Sequence, residues 1–306
     1  MRLVITGGLG HIGSKLIRYF LHYYPNYEIV VIDNLETQRH CSLFNLPKNK
    51  KFNFIELDVS KPEIQKYIET NDVVIHLAAQ TNMSKSISDN EFKNYNLKLT
   101  KNITETSLNK NAFLIFISST SVYTPKDNFI DENCKPVDMK PTNPYAQSKL
   151  KEEQYIFKKY NLLKKFTILR FGTIYGISEG MRFHTAVNKF CWQASFGLPL
   201  TVWKTAFKQK RPYLELFDAC RAISHIIDNK IFNGDTYNVL TDNTSVENII
   251  DKIQKLKPDL NINFVDDNAM NNLSYEVCNK KFKESNFKYF GDMQKEIKTM
   301  LSVLGV

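Results

Sequence analysis

The chain has 306 residues, 42% of them hydrophobic, a length that suits two modest domains or one large α/β unit with an ample core. No apolar run approaches the roughly eighteen residues of a membrane span, and Met1 opens directly onto an apolar segment, so a cytoplasmic protein with no signal peptide and no membrane partner is expected. The net charge of +9 comes from lysines spread along the chain, which argues against nucleic acid and leaves a basic rim suited to a diphosphate, while Cys41, Cys134, Cys191, Cys220 and Cys278 lack any C-x-x-C pair and the histidines lack ligand spacing, so free thiols and no metal are expected.

Residues 2–5 predict a short buried strand, 6–10 a tight turn, and His11 onward a helix whose N-terminus faces that turn. A glycine turn between a parallel strand and a helix lets backbone N–H groups and the positive helix end approach a pyrophosphate, because no Cβ blocks the way. The glycines parse as Gly8-x-Gly10-x-x-Gly13 or as Gly7-x-x-Gly10-x-x-Gly13, and with His11 and Ile12 they form a candidate dinucleotide site. The helix runs to Tyr24, Pro25 stops it, and 28–33 is an apolar strand ending in Asp33 and followed by Asn34. Asp33 lies about twenty residues past the last glycine, the spacing at which an acid accepts from the adenosine ribose hydroxyls. Such a carboxylate repels a 2′-phosphate, so NAD is expected over NADP, with Arg39 the one nearby residue that argues otherwise.

A third strand is expected over 51–58, placing Asp58 and Val59 where an adenine is commonly bracketed. After a short helix from Pro62, a fourth strand over 72–80 ends in Leu77, Ala78 and Ala79, where small side chains let a cofactor lie close to the backbone. Residues 89–110 read as a long helix with Phe92, Leu99 and Ile103 at helical spacing. A fifth strand over 112–117 runs into Ser118-Ser-Thr-Ser-Val-Tyr123, a proline-bearing loop leads to a helix over 145–160, and a sixth strand over 166–171 ends at Phe171. This alternation predicts a doubly wound, Rossmann-type α/β fold with a parallel sheet covered on both faces and ligands at the carboxyl edge of the strands. Residues 1–172 are expected to form that domain. Residues 173–306 are expected to form a smaller α/β substrate domain, to which 235–239 adds a strand and 245–257 a helix capped by Ser245, while the helix near 217–229 packs back on the first domain.

A tyrosine and a lysine four apart share one helix face, where the ammonium favours the phenolate and lowers the tyrosine pKa from about 10. Three such pairs occur, Tyr145/Lys149, Tyr155/Lys159 and Tyr160/Lys164, against roughly 1.7 expected by chance. Only Tyr145/Lys149 begins a helix just after a proline, carries Ser148 beside the lysine and follows a serine-rich strand end. Tyr145 is therefore the candidate base.

Taken together, Thr6-Gly-Gly-x-Gly-x-x-Gly13, Asp33-Asn-Leu35, His76-Leu-Ala-Ala79, Ser118-Ser-x-x-Val-Tyr123, Pro144-Tyr-x-x-Ser-Lys149 and Leu169-Arg-Phe-Gly-Thr-Ile-Tyr-Gly176 resemble the extended short-chain dehydrogenase/reductases that modify nucleotide sugars, over nearly the whole length. The resemblance implies NAD as cofactor and a nucleotide-diphosphate sugar as substrate. It makes Ser119 the hydroxyl beside Tyr145, gives Lys149 the nicotinamide ribose, and places Asn96 at a position where asparagine is common. In the reaction it implies, Tyr145 takes a proton from a sugar hydroxyl, commonly at C4, while the carbon is oxidised.

Family dehydratases usually carry Asp-Glu after the catalytic hydroxyl, where this chain has Thr120-Ser121, so 4,6-dehydration is disfavoured. What remains is a 4-epimerase or an enzyme performing one redox half, a 4-dehydrogenase or 4-keto-reductase; a non-catalytic NAD sensor would typically lack the Tyr or Lys. By the same resemblance Thr120 and Thr173 face the substrate, Thr173 replacing a common Asn, and Arg211 clamps its phosphates. Capsule or lipopolysaccharide precursors are the implied pathway, and a homo-oligomer through the helices at 89–110 and 145–160 is expected.

Overall fold

The computed structural model describes residues 1–81, 88–124, 129–160, 163–266 and 274–305. Strand β1 (Arg2–Thr6) leads through the glycine turn into α1 (His11–Tyr23), and β2 (Glu28–Asp33) and β3 (Phe52–Glu56) follow. Next come β4 (Val73–His76), α2 (Asp89–Asn109), β5 (Phe113–Ser119), the short β6 (Phe129–Ile130), α3 (Pro144–Tyr160) and β7 (Phe166–Phe171). The remainder comprises β8 (Thr173–Tyr175), α4 (Ala186–Ser195), β9 (Leu200–Trp203), β10 (Lys210–Glu215), α5 (Leu216–Asp228), β11 (Asp235–Val239), β12 (Asp242–Ser245), α6 (Val246–Gln254), β13 (Ile262–Val265), β14 (Glu276–Val277), α7 (Lys280–Glu284) and α8 (Met293–Leu304).

Seven strands form one parallel sheet in the order β11-β7-β5-β4-β1-β2-β3. Alternate residues feed its two faces. Leu3, Ile5 and Ile115 join Leu16 and Phe20 of α1 and Ile223 of α5 on one side, whereas Val4, Leu114 and Phe116 meet Leu99 and Ile103 of α2 and Ile156 of α3 on the other. Helix α5 packs against α1. Segment 235–239, however, does not extend the C-terminal unit: β11 pairs in register with β7, from Asp235 beside Thr167 to Val239 beside Phe171, and is the edge of the main sheet. Its mixed pattern of Tyr237 and Val239 against polar Thr236 and Asn238 suits an edge strand, and only long-range pairing decides which sheet receives it.

A separate core of Tyr175, Phe190, Leu200, Ile249, Ile253 and Met300 holds β8, α4, β9, α6 and α8 together. Ser245 caps α6 by accepting from Asn248 N at 3.2 Å. No helix among the described residues is long and apolar enough to cross a membrane.

Candidate active site

At the carboxyl edge of the sheet lies a cleft of about 620 Å³, within the range of small-molecule and cofactor sites. Its floor is the β1–α1 turn. Gly7 stands at φ +67° with its N–H on Ile32 O at 2.7 Å, and a Cβ on it would sit 2.6 Å from Ala78 Cα. Gly8 instead faces the core, where a Cβ would meet Val31 Cγ1 at 2.5 Å. Gly7, Gly10 and Gly13 line the cleft with His11 and Ile12 while Gly8 does not, so the parse Gly7-x-x-Gly10-x-x-Gly13 describes the cradle.

The start of α1 has Gly10 as its N-cap, no side-chain cap and no acidic residue in its first turn. Its free N–H groups and positive dipole end are thereby left for an anion. His11 faces away from this function with its ring: Nε2 donates to Gly176 O at 2.9 Å, and burial pulls its pKa down to about 4, so the imidazole is neutral.

At the far end of the cleft Asp33 projects from the tip of β2. Its Oδ2 accepts from Leu9 N and its Oδ1 from Leu35 N, both at 3.0 Å, which fixes the carboxylate at the lip of the glycine turn. Asn34, Asp58 and Val59 line the same end, and Tyr95 of α2 donates to Asp58 Oδ2 at 3.3 Å. Arg39 also lines it, but its Nη1 is held on Gly180 O at 2.8 Å. Leu77, Ala78 and Ala79 close the wall at the end of β4. Asn96 stands behind them, fully buried, pinning Gln80 through both its backbone N–H (2.8 Å) and its carbonyl (2.9 Å). A glycine cradle that a Cβ would fill, an uncapped helix start and a carboxylate fixed at the lip of the turn fit a dinucleotide.

The third wall carries Ser119, Tyr145, Lys149 and Phe171. Ser119 ends β5 and caps a short 3₁₀ turn, its Oγ accepting from Ser121 N at 3.1 Å and from Ser121 Oγ at 2.9 Å. With both acceptances made, its own hydroxyl proton is left to donate. Tyr145 and Lys149 lie one turn apart at the start of α3, Tyr145 half-buried and Lys149 buried, its ammonium 4.5 Å from the Phe116 ring centroid. Thr173 lines the adjoining edge.

Two expected substrate residues are placed elsewhere. Thr120 is buried within the 3₁₀ turn and donates to Phe171 O at 3.3 Å, so Ser121 takes the position on the cleft. The 3₁₀ turn breaks the two-residue alternation of β5, which turns Thr120 inward and Ser121 toward the cleft. Arg211 lies on β10 outside the cleft lining, and its Nη2 is buried without a hydrogen-bond partner among the described residues. A cation that sequence reasoning passed over, Arg182, does line the cleft, with Nη1 on Thr81 Oγ1 at 2.6 Å and its field reaching Tyr145. It sits in irregular chain after β8, where no periodicity points to it.

Fold and cleft define a dinucleotide-binding enzyme of the Rossmann type with a Tyr–Lys pair. The chain belongs to the NAD dependent epimerase/dehydratase family, whose model matches residues 3–239, and NAD is its cofactor. A dTDP-D-glucose 4,6-dehydratase of Dictyostelium discoideum is 31% identical over 262 residues, 79% of this chain and 58% of that protein. A trifunctional UDP-glucose 4,6-dehydratase/UDP-4-keto-6-deoxy-D-glucose 3,5-epimerase/UDP-4-keto-L-rhamnose-reductase of Arabidopsis thaliana is 28% identical over 301 residues, 92% of this chain; the chain spans only 44% of that relative's length. The UDP-glucuronic acid 4-epimerase of Bacillus cereus, solved with UDP-glucuronic acid and NAD, shares the fold at 22% identity, with a TM-score of 0.87 over 99% of both chains.

Proposed function

We propose that the chain is a nucleotide-sugar 4-epimerase, oxidising and re-reducing the C4 carbinol of its substrate in one site. The observation that carries this reading is the Tyr145–Lys149 pair facing the same cleft as the glycine cradle, next to a serine with a free proton. Tyr145, as phenolate beside a cation, takes the proton of the C4 hydroxyl, and Ser119 donates a hydrogen bond to the carbonyl oxygen that develops there. NAD, when bound, supplies the two-electron redox chemistry at that carbon. For the carbinol to re-form inverted, the hydride taken up by bound NAD would have to return to C4 from the opposite face, while Tyr145 gives its proton back to the oxygen.

Elimination of water across C5 and C6 asks for an acid and a base close to the sugar. Among the described lining residues the carboxylates are Asp33, Glu36 and Asp58, all at the end formed by β2 and β3, while Ser121 and the inward-turned Thr120 stand next to Ser119. This favours epimerisation over the dehydration named for several relatives. A homo-oligomer through α2 and α3 belongs to the same proposal, supported by Phe157 of α3 being 41% exposed, and light scattering tests it.

The test is turnover of UDP-, GDP-, CDP- and dTDP-sugars with NAD, read by mass and NMR. An isomeric product with no net reduced cofactor supports the epimerase. A product two hydrogens lighter with reduced cofactor accumulating replaces it by a dehydrogenase, and loss of water replaces it by a dehydratase.

A further inference from the structure

Behind the Tyr145–Lys149 pair a hydrogen-bonded chain crosses from the sheet to the α2–α3 interface. Lys149 Nζ donates to Glu152 Oε2 at 3.2 Å, one turn along the same helix, and both side chains are buried. Glu152 Oε2 also accepts from Thr100 Oγ1 of α2 at 2.7 Å, and its Oε1 from Ser148 Oγ at 2.6 Å. Thr100 has one proton and gives it to Glu152, so it accepts from His76 Nε2 at 3.2 Å. His76 is then the Nε2–H tautomer, and its bare Nδ1 accepts from Thr6 Oγ1 at 2.7 Å. Burial first, and Lys149 second, lower the His76 pKa to about 3, so the ring stays neutral.

Every donor in this chain points toward Glu152. Three of them meet its two oxygens, so both oxygens of the carboxyl group are engaged by donors. A carboxyl group against Lys149 bears on Tyr145, because a negative charge there offsets part of the positive field that the ammonium presents at the cleft wall.

We propose that Glu152 is a positioning residue for the Tyr145–Lys149 pair, an anionic tether that holds the Lys149 ammonium from the next turn of α3 and so sets the pH at which Tyr145 becomes a base. The inference rests on the reading of Tyr145 as the base. Among the described residues the other charged or titratable groups facing the cluster are His76 from β4, Arg182 from the chain after β8, and Glu153, which is committed to Arg170 of β7. None of them takes the place of Glu152 beside Lys149.

The test compares wild type with Glu152→Gln, which keeps an acceptor for Thr100 or Ser148, and Glu152→Leu, which removes charge and polarity together. The Tyr145 phenol is titrated by ultraviolet difference absorbance of each protein against the same protein carrying Tyr145→Phe, with circular dichroism confirming the fold. The tether predicts a Tyr145 midpoint lower by about one pH unit, a tenfold change in ionisation constant, in the folded variants. The acid limb of kcat/KM shifts the same way. A midpoint equal to that of wild type in whichever variant is folded overturns the proposal. If Tyr145→Phe alone turns over as well as wild type, the proposed function fails instead, and the titration still reports on Glu152.

Discussion

Glu153 and Arg170 form a buried ion pair that ties α3 to β7, with Arg170 Nη2 on Glu153 Oε2 at 2.6 Å and Nε on Oε1 at 2.9 Å. Ser118 donates to the same carboxylate at 2.5 Å, and Arg170 Nη1 reaches Tyr123, whose hydroxyl donates to Asn238 Oδ1 on β11 at 2.8 Å. The network fixes the end of β5, and so Ser119, relative to the helix that carries Tyr145. Removing one partner leaves an uncompensated buried charge. Glu153→Ala is expected to cost about 3–5 kcal/mol of unfolding free energy, read by urea denaturation; a loss under about 1 kcal/mol would show that the pair does not hold these elements together.

Gly7 is the glycine with the least freedom to change. Its φ of +67° disfavours any Cβ, and alanine there would press on the backbone of Ala78 at 2.6 Å. Gly7→Ala is expected to cost about 2 kcal/mol or more and to weaken NAD binding by pushing the end of β4 across the cradle. Calorimetric titration with NAD checks this, and wild-type affinity would contradict it.

Asp33 is expected to carry the cofactor preference. Asp33→Ala removes the anion that disfavours a 2′-phosphate and leaves the nearby charge of Arg39 without an opposing carboxylate. The ratio of NAD to NADP affinity is expected to fall about tenfold, measured by titrating both cofactors. An unchanged ratio would assign discrimination to another residue.

Burial holds His11 and His76 neutral, with pKa values lowered to about 4 and about 3 from 6.5. Their folded pKa values lie below the unfolded one, so the stability they contribute is present above pH 6.5 and is lost as pH falls through 4 and 3. His11→Gln, whose amide can still donate to Gly176 O, cannot titrate. It is expected to flatten the fall in unfolding free energy between pH 6.5 and 4 by up to roughly 3 kcal/mol. The same slope as wild type in denaturation at stepped pH would rule the histidine out as its source.

The glycine cradle, Asp33 and the Tyr145/Lys149 pair were legible in the sequence because each depends on local spacing: a turn, a strand end, one helical turn. The strand at 235–239 was legible as a strand, yet its place beside β7 depends on pairing about seventy residues away, which no local pattern encodes. That Ser121 and not Thr120 lines the cleft depends on a 3₁₀ turn, which resets which side chain faces it. Glu152 looks like one more surface acid of a Lys- and Glu-rich helix; only the packing of α2 on α3 reveals that it is buried against Lys149.

The central claim, that Tyr145 is the base of a C4 oxidation, is tested most directly by Tyr145→Phe. The substitution deletes one hydroxyl from a half-buried ring and leaves the glycine cradle and Asp33 intact. With the nucleotide sugar that wild type converts, turnover is expected to fall by at least about a hundredfold, with NAD affinity unchanged. Turnover equal to wild type, with NAD bound normally, would contradict the assignment.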